Sequence, residues 1–474
     1  MASSTFREAI EEICKLFAIK SLKEEQEMMI KTLLDKRDCI AVLPTGYGKS
    51  LPYQLLLPLA RKLGIEADFK IVVCCPLVAL MEDQVKRLEK VECLRNMYKG
   101  RSKELDKRIL DGDFDILFAS PEALVGDQHI RLQLQKYKIG VIVVDEFHTI
   151  YEWGGEATAD DSGAFRKWFR YIGELRSLWP KANLLALSAT RTNNIKRRVY
   201  RVLGLDPAHT TELTVSPNKP NIKLIVKKVD KNIETSMCWL IDALDDLEDQ
   251  FPRTLVYCNS ISDVSKLYCY VVSENNQLQK LVDMFHSETL DENKSQIIKV
   301  LGEEKSNVRI IFATTALGMG IDVVNCTSMI IFGPPRSVVD LVQMIGRVGR
   351  CGSQSVAIIM FNSYQLGHCE KEVKEFLECK SCRRKKLLES FLCESEMSKV
   401  EVGTHICCDI CADLCTCKKC KFLDLEHLLN NSSKASALSQ CSDSDFIDYY
   451  SDHADGEFTD NEELTLFQSV NEPD

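Results

Sequence analysis

The strongest constraint on the fold is an alternation of short apolar runs with amphipathic stretches, which occurs twice along the chain. In the first series, five apolar runs of four or five residues stand between longer segments with helical spacing of their apolar residues. A short run that is apolar throughout is typical of a strand buried on both faces, as in a parallel sheet. The five predicted strands are Ile40–Leu43, Ile71–Cys75, Ile116–Ala119, Val141–Val144 and Leu184–Leu187.

The second series begins near Leu224 and predicts a second domain of the same α/β class. Its predicted strands are Thr254–Tyr257, Val308–Ala313, Met329–Phe332 and Val356–Phe361. We therefore expect two tandem domains, over residues 1–216 and 221–363, joined by a proline-flanked turn at 217–220. A helical, cysteine-rich module is predicted over 364–422. Residues 423–474 read as a disordered acidic tail, whose aromatic residues are a candidate motif for a protein partner.

Cysteine usage and charge limit the classes of function. No run of about 18 apolar residues occurs, and the chain opens without the basic-then-apolar order of a signal peptide. We therefore expect an intracellular protein that enters no membrane and keeps its thiols reduced. Nine of the 21 cysteines lie between Cys379 and Cys420, which predicts bound metal. Residues 424–474 contribute −12 to the net charge of −10, so the remaining +2 neither favours nor excludes nucleic acid.

A glycine-rich turn predicts a phosphate site in the first domain. The first strand runs into the sequence Pro-Thr-Gly-Tyr-Gly-Lys-Ser, after which a helix can begin. Glycines in such a turn let backbone N–H groups close around phosphates at a helix N-terminus. The lysine is expected to meet the β and γ phosphates and the serine to ligate Mg²⁺. The predicted ATP ligands in this loop are Thr45, Gly46, Gly48, Lys49 and Ser50.

Two further motifs complete a candidate nucleotide cleft. The strand before Asp145 and Glu146 predicts that Asp145 holds Mg²⁺ and that Glu146 polarises the attacking water, although such acids also cap helices. In the second domain, Arg347 and Arg350 stand three positions apart. This spacing predicts that both lie on one helix face and reach a γ-phosphate across the cleft as arginine fingers. The order of the three motifs favours a nucleotide-driven enzyme.

These motifs resemble those of the RecQ family of DNA helicases, over roughly residues 13–411. The similar segments are LKEEQ at 22–26, PTGYGKSLPYQ at 44–54, PLVALMEDQ at 76–84, SPE at 120–122, SAT at 188–190, YCNS at 257–260, ATTALGMGID at 313–322 and QMIGRVGR at 343–350. The resemblance implies two RecA-like parallel-sheet domains with ATP bound between them. It also implies that Gln26 contacts the adenine and that Asp322 belongs to the nucleotide site.

An aromatic segment points to DNA as the substrate. The residues around Trp153, followed by those at 165–169, resemble the aromatic-rich loop of the family, which implies Trp153 and Arg166 as nucleic-acid contacts. About ten residues rich in Gly, Ala and Asp intervene, so the loop is longer or its register is shifted. Packing of Trp153 in the core is the alternative. The implied partners are single-stranded and tailed duplex DNA.

The cysteine module is the second feature of the resemblance. In the family, one cysteine at a helix start and three ligands in a later loop hold a structural zinc. This implies Cys382, Cys408 and Cys411, with either His405 or Cys407 as the fourth ligand; His405 has the more regular spacing. Beyond these, Cys415, Cys417 and Cys420 exceed the family pattern, and either join Cys379 or Cys393 in a second zinc site or are redox-labile surface thiols.

The resemblance implies an ATP-dependent 3′-to-5′ DNA helicase of DNA repair or recombination, located in the nucleus. Phe147 replaces the small residue usual beside the acid pair, and its ring is expected to slow coupling. No winged-helix segment is recognised after the cysteine module, so unwinding is a weaker expectation than ATP hydrolysis. Two alternatives stay open: a degenerate helicase that binds DNA or scaffolds partners without motor activity, and an RNA helicase.

Overall fold

The structure is a computed structural model that describes residues 3–65, 68–155, 166–303, 306–317, 325–350, 352–401, 404–417, 420 and 423–431. Two parallel sheets, each with helices packed against it, form the two domains, as the alternating pattern predicts. No helix among the described residues is long and apolar enough to span a bilayer.

The first domain contains a seven-stranded sheet in the order β3-β4-β2-β5-β6-β1-β7, and the second a six-stranded sheet in the order β10-β11-β9-β12-β13-β8. Every neighbouring pair is parallel. The strands are β1 Asp38–Val42, β2 Lys70–Cys74, β3 Asn96–Tyr98, β4 Ile116–Ala119, β5 Ile139–Val144, β6 Asn183–Ser188, β7 Thr210–Thr214, β8 Ile222–Lys228, β9 Thr254–Cys258, β10 Val282–Phe285, β11 Ile310–Ala313, β12 Ser328–Phe332 and β13 Ser355–Phe361.

Helices connect the strands and form the module after the second sheet. The α-helices are α1 Ser3–Leu16, α2 Glu24–Leu34, α3 Leu51–Lys62, α4 Val78–Leu88, α5 Lys103–Leu110, α6 Gln128–Leu134, α7 Thr149–Glu152, α8 Glu174–Leu178, α9 Asn193–Val202, α10 Ile233–Leu247, α11 Ile261–Glu274, α12 Asp291–Gly302, α13 Val338–Ile345, α14 Lys371–Leu377, α15 Arg383–Leu388, α16 Glu394–Met397, α17 Asp409–Asp413 and α18 Asp424–Asn431.

The strand order of the first sheet positions the candidate nucleotide site. Strand β6 lies between β5 and β1, with Ala186 opposite Val144 and Ser188 opposite Val42. Because parallel strands present their carboxyl ends at one edge, the loops that follow β1, β5 and β6 emerge side by side. These loops carry the phosphate-binding sequence, the acid pair and the Ser-Ala-Thr motif, respectively.

The cysteine-rich module packs on the second domain and shares its core. Val373 and Phe376 of α14 are fully buried in the same apolar cluster as strand residues of the second sheet. The Leu224 N–H donates to the carbonyl of Cys407 over 3.2 Å, so the module covers part of the edge strand β8. Arg384 donates to the carbonyl of Lys219 at 2.8 Å, which anchors the interdomain linker to the module. Module, linker and second sheet therefore form one packed unit.

The predicted start of the disordered tail at residue 423 is wrong. Helix α18 occupies Asp424–Asn431 and packs against α10, burying Leu425 and Leu429. Its Glu426 forms a buried ion pair with Lys223 of β8 at 2.5 Å. Leucines at helical spacing give this acidic segment an apolar face, and the burial of that face stabilises the helix despite the acidic composition. The rest of the predicted tail, 432–474, lies outside the described residues.

Candidate nucleotide site and metal centre

The phosphate-binding sequence forms a loop between β1 and α3. Gly46 and Gly48 adopt φ values of +83° and +87°, a region that glycine enters at little cost. Ser50 is the N-cap of α3, and its hydroxyl makes no capping hydrogen bond. Lys49 lies 3.4 Å from Glu146, with Nζ facing the carboxylate Oε1. The loop therefore presents a cation and a helix N-terminus together, as a phosphate ligand requires.

Gln26 is placed against the phosphate loop. Its buried side-chain amide donates to the carbonyls of Tyr47 and Gly48, each at 3.1 Å, and accepts from the Lys23 backbone N–H at 2.9 Å. A methyl group at position 48 would lie only 2.7 Å from Gln26 Nε2, so this close approach requires glycine. Gln26 thus ties the loop to helix α2, and its predicted contact with adenine stays a prediction.

The acid pair follows β5 directly. Glu146 has a φ of +49°, a left-handed conformation that costs a non-glycine residue about 1–2 kcal/mol and that occurs here beside Lys49. Burial first, and then the charge of Glu146, raise the pKa of Asp145 to about 6. Burial also acts to raise the pKa of Glu146, but Lys49 and His148 outweigh it and hold that pKa below its usual value. A bound divalent cation would favour the ionised form of Asp145, so the residues present fit Mg²⁺.

His148 joins three motifs at the domain boundary. Its Nδ1 lies 3.0 Å from Ser188 Oγ and 3.3 Å from Glu146 Oε2, and its Nε2 lies 3.1 Å from Gln343 Nε2 in the second domain. Burial acts to lower the pKa of this imidazole, but Glu152 and Glu146 outweigh burial and raise it. A protonated ring donates from both nitrogens, and the amide of Gln343 can turn its oxygen toward the ring.

The two arginines do not lie on a helix face, so that prediction is wrong. Helix α13 ends at Ile345, with Gly346 as its C-cap, and Gly349 has a φ of +62°. Arg347 and Arg350 therefore lie in the turn that follows the helix. A spacing of three residues brings side chains together in a helix only while the helix continues, and glycines end this one.

Four cations lie near one another at the boundary between the two domains. Burial first, and then the charges of Arg350, Arg347 and Lys49, lower the pKa of Lys219 to about 8. Arg347 and Lys49 are also among the charges that lower the pKa of Glu146. The charges of Arg350, Arg347 and Lys49 therefore repel that of Lys219 at the boundary between the domains. A bound polyanion such as a nucleotide triphosphate relieves this repulsion.

Three residues of this boundary were missing from the predicted site. His148 lies two positions after Glu146, and Gln343 begins the segment that carries the two arginines. Lys219 lay in the predicted linker, and its Nζ donates to the Gly346 carbonyl over 2.9 Å. A methyl group at Gly346 would lie 3.5 Å from Thr45 Oγ1, so this turn approaches the phosphate loop. Asp322 falls in 318–324, outside the described residues.

Trp153 and Arg166 lie together in the first domain. The Trp153 ring is half-buried and meets Phe169 edge-to-face, with centroids 5.3 Å apart. The Arg166 guanidinium lies 5.6 Å from the Trp153 ring centroid, forms an ion pair with Glu122, and donates to the carbonyl of Pro76. Arg166 therefore links the aromatic segment to two of the helicase-like motifs. The loop at 156–165 lies outside the described residues, and base contacts by either residue stay a prediction.

Phe147 does not face the nucleotide side of the acid pair. Its ring is fully buried in an apolar cluster that contains Val144 and Ile150 of the first domain and also Val339 of α13. The ring fills core volume, and its expected effect on coupling stays a prediction.

Four cysteines form the candidate zinc centre. The Sγ atoms of Cys382, Cys407, Cys408 and Cys411 all lie within 4.8 Å of one another, and those of Cys382 and Cys407 are 3.5 Å apart. The Cys411 backbone N–H donates to Cys408 Sγ over 3.5 Å. Thiolates within this distance suit tetrahedral zinc, whose ligand sulfurs stand about 3.8 Å apart.

The choice of His405 as fourth zinc ligand is corrected to Cys407. The Cys407 N–H donates to the carbonyl of Thr404, forming a turn that separates His405 from the four-cysteine cluster. His405 Nδ1 instead lies 3.4 Å from Cys417 Sγ. Regular sequence spacing was a poor guide because a turn reverses the direction in which neighbouring side chains point.

Two family matches cover the two sheet domains. Residues 23–198 match the DEAD/DEAH box helicase family, and residues 236–352 match the helicase conserved C-terminal domain. The first match includes the phosphate loop and the acid pair, and the second ends just past the two arginines.

Curated relatives agree with these matches. The chain is 30% identical over 426 residues to the bifunctional 3′-5′ exonuclease/ATP-dependent helicase WRN of Mus musculus, covering 83% of this chain and 28% of the relative. It is 25% identical over 429 residues to the ATP-dependent DNA helicase RecQ of Pasteurella multocida, covering 85% of this chain and 62% of that protein. The chain thus spans less than two thirds of either relative.

A solved structure has the same fold. The helicase Lhr of Mycobacterium smegmatis, bound to ssDNA and AMP-PNP, aligns with a TM-score of 0.59 at 19% identity, over 79% of this chain and 50% of that chain. This likeness supports the arrangement of two RecA-like domains.

Proposed function

Because the chain belongs to the RecQ-like family of ATP-dependent DNA helicases, we propose that it hydrolyses ATP to move 3′-to-5′ along single-stranded DNA and displace the paired strand. The observation that carries the proposal is the group of four cations at the domain boundary, two of which act on the half-buried acid pair. The positive charge of this group suits the negative charge of a triphosphate, and its cations come from both domains. Binding and hydrolysis of ATP therefore act on the relative position of the domains.

The residues of the first domain hold and activate the substrate. Lys49 attracts the β and γ phosphates, and Glu146, held ionised beside it, accepts hydrogen bonds from the attacking water. Mg²⁺, held by Ser50 and Asp145, would neutralise charge on the phosphates. From the second domain, Arg347 and Arg350 stabilise the charge of the transferring phosphoryl group. Release of phosphate removes the anion that draws these cations together, and the cleft opens.

The His148 bridge transmits the state of the acid pair to the second domain. Its ring contacts Glu146 on one side and Gln343 on the other. A proton gained or lost near Glu146 changes the donor pattern of His148, and thereby the interdomain hydrogen bond to Gln343. Ser188, at the end of β6, contacts His148 Nδ1, the ring nitrogen that also faces Glu146, and this contact supports a role of the Ser-Ala-Thr motif in the coupling.

We assign DNA binding to the surface near Trp153 and Arg166. Arg166 donates to the carbonyl of Pro76, the first residue of the helicase-like segment at 76–84. An aromatic ring beside bound single-stranded DNA can stack on bases without sequence preference, and phosphate contacts make this binding sensitive to salt.

Strand displacement tests the proposal. Duplexes with a 3′ tail or a 5′ tail, in DNA and in RNA, are incubated with the full chain and ATP. We expect displacement of the 3′-tailed DNA duplex, and none by the Glu146→Gln variant. Displacement of only the 5′-tailed duplex contradicts the polarity, preference for RNA supports the RNA helicase alternative, and DNA binding without ATP turnover supports the non-motor alternative.

A further inference from the structure

We propose that the chain binds a second zinc ion through His405, Cys415, Cys417 and Cys420, beside the four-cysteine centre. One ligand atom from each of these residues lies within 4.8 Å of all the others. The set has one imidazole and three thiols, which is a donor set of structural zinc sites. It contains no carboxylate or carbonyl, so it does not suit Mg²⁺ or Ca²⁺.

The distances match a tetrahedral zinc site. His405 Nδ1 lies 3.4 Å from Cys417 Sγ and 3.7 Å from Cys415 Sγ, and the Sγ atoms of Cys417 and Cys420 lie 3.4 Å apart. With Zn–S near 2.3 Å and Zn–N near 2.0 Å, tetrahedral geometry separates two sulfurs by about 3.8 Å and a nitrogen from a sulfur by about 3.5 Å. A disulfide requires sulfurs about 2.05 Å apart, which this arrangement does not have.

The two clusters interleave along a short stretch of chain. The chain between His405 and Cys415 contains three ligands of the four-cysteine centre. The chain between Cys382 and Cys407 in turn contains His405. Leu414 in the second loop is 77% exposed, so the burial of this side chain contributes little to stability. Metal coordination would add folding free energy to the loop, as structural zinc does.

The second ion also fixes the approach to helix α18. Cys420 stands three residues before Leu423, and α18 then docks through Leu425, Leu429 and the buried pair of Glu426 with Lys223. Holding Cys420 would fix the chain three residues before Leu423. Loss of the ion is therefore expected to weaken the docking of α18 as well as the loop.

Zinc content measures the proposal directly. The full chain is purified, dialysed against a weak chelator and analysed by elemental mass spectrometry. We expect two zinc ions per chain in the parent and one in the Cys417→Ser/Cys420→Ser variant. The matched control is Cys393→Ser, an exposed cysteine outside both clusters, which should keep two. One ion in the parent, or two in the double variant, overturns the proposal.

Replacement of one coordinating residue by another, His405→Cys, keeps the test decisive if the serine variant fails to fold. In protein loaded with cobalt, sulfur-to-metal charge-transfer absorbance reports the number of bound thiolates. The parent should show seven thiolates on two ions, four from one cluster and three from the other. His405→Cys should keep two ions and raise the thiolate absorbance by about one seventh. Unchanged absorbance shows that position 405 binds no metal and overturns the proposal.

Discussion

Alanine at Gly48 tests the contact between Gln26 and the phosphate loop. Gly46 and Gly48 have nearly equal positive φ values, so alanine at either position costs about 1–2 kcal/mol in backbone strain. They differ in their surroundings: a methyl group at Gly46 has nothing within 4 Å, whereas one at Gly48 lies 2.7 Å from Gln26 Nε2. Gly46→Ala is therefore a matched control in the same loop.

The additional cost at Gly48 follows from the hydrogen bonds of Gln26. To reach an ordinary contact distance, the amide must leave the carbonyls of Tyr47 and Gly48, which it contacts at 3.1 Å. Each lost bond costs about 0.5–1.5 kcal/mol. We expect Gly46→Ala to destabilise the first domain by about 1–2 kcal/mol and Gly48→Ala by about 2–5 kcal/mol.

Urea unfolding of the nucleotide-free chain, followed at the transition of the first domain, measures both costs. Truncation of Gln26 removes the obstacle, so Gly48→Ala made in a Gln26→Ala background should cost only the backbone term, about 1–2 kcal/mol. Equal costs for the two glycine variants, or a Gly48→Ala cost unchanged by Gln26→Ala, would refute the reasoning.

Three other perturbations test separate parts of the account. The pKa of Lys219 is about 8 in the folded chain and 10.5 ordinarily, so the contribution of Lys219 to stability rises from pH 8 to 10.5. The affinity for ATP falls over the same range because the cation is lost. Lys219→Met should abolish this pH dependence of the ATP KM. Gln343→Ala removes the interdomain bond to His148 and should lower DNA-stimulated kcat about 2–10-fold without changing the ATP KM, whereas Gln343→Glu, which still accepts from the ring, should retain activity. Leu425→Ala empties a fully buried site and should destabilise the second domain by about 2–5 kcal/mol in thermal unfolding, and half-buried Leu428→Ala by less. An unchanged pH profile, an unchanged kcat, or equal losses for the two leucines would contradict the respective step.

Local patterns were sufficient for the sheets and the phosphate loop. A strand such as Ile116–Ala119 is apolar at every position because helices cover both faces of its sheet, and its predicted and observed bounds are identical. The phosphate loop was predictable because its signature lies in consecutive residues. Four strands were not among the predicted runs: Asn96–Tyr98, Thr210–Thr214, Ile222–Lys228 and Val282–Phe285. Each is short or contains polar residues, so its sheet neighbours stabilise it more than its own pattern does.

Local sequence patterns could not predict contacts between residues that are distant in the sequence. His148 and Gln343 are 195 positions apart, and no periodicity relates them. The fourth zinc ligand depended on a turn at Thr404, which sequence spacing does not reveal. Helix α18 had a usable signal, because Leu425, Leu428 and Leu429 stand at helical spacing within an acidic composition.

The central claim is that the cations and acids at the domain boundary hydrolyse ATP in response to DNA. ATP turnover is measured with and without single-stranded DNA for the parent, Lys49→Ala and Glu146→Gln. The account predicts stimulation of the parent by DNA and a loss of about 100-fold or more in each variant, because each removes a group that acts on the transferring phosphoryl or its water. Equal turnover by all three proteins would contradict it.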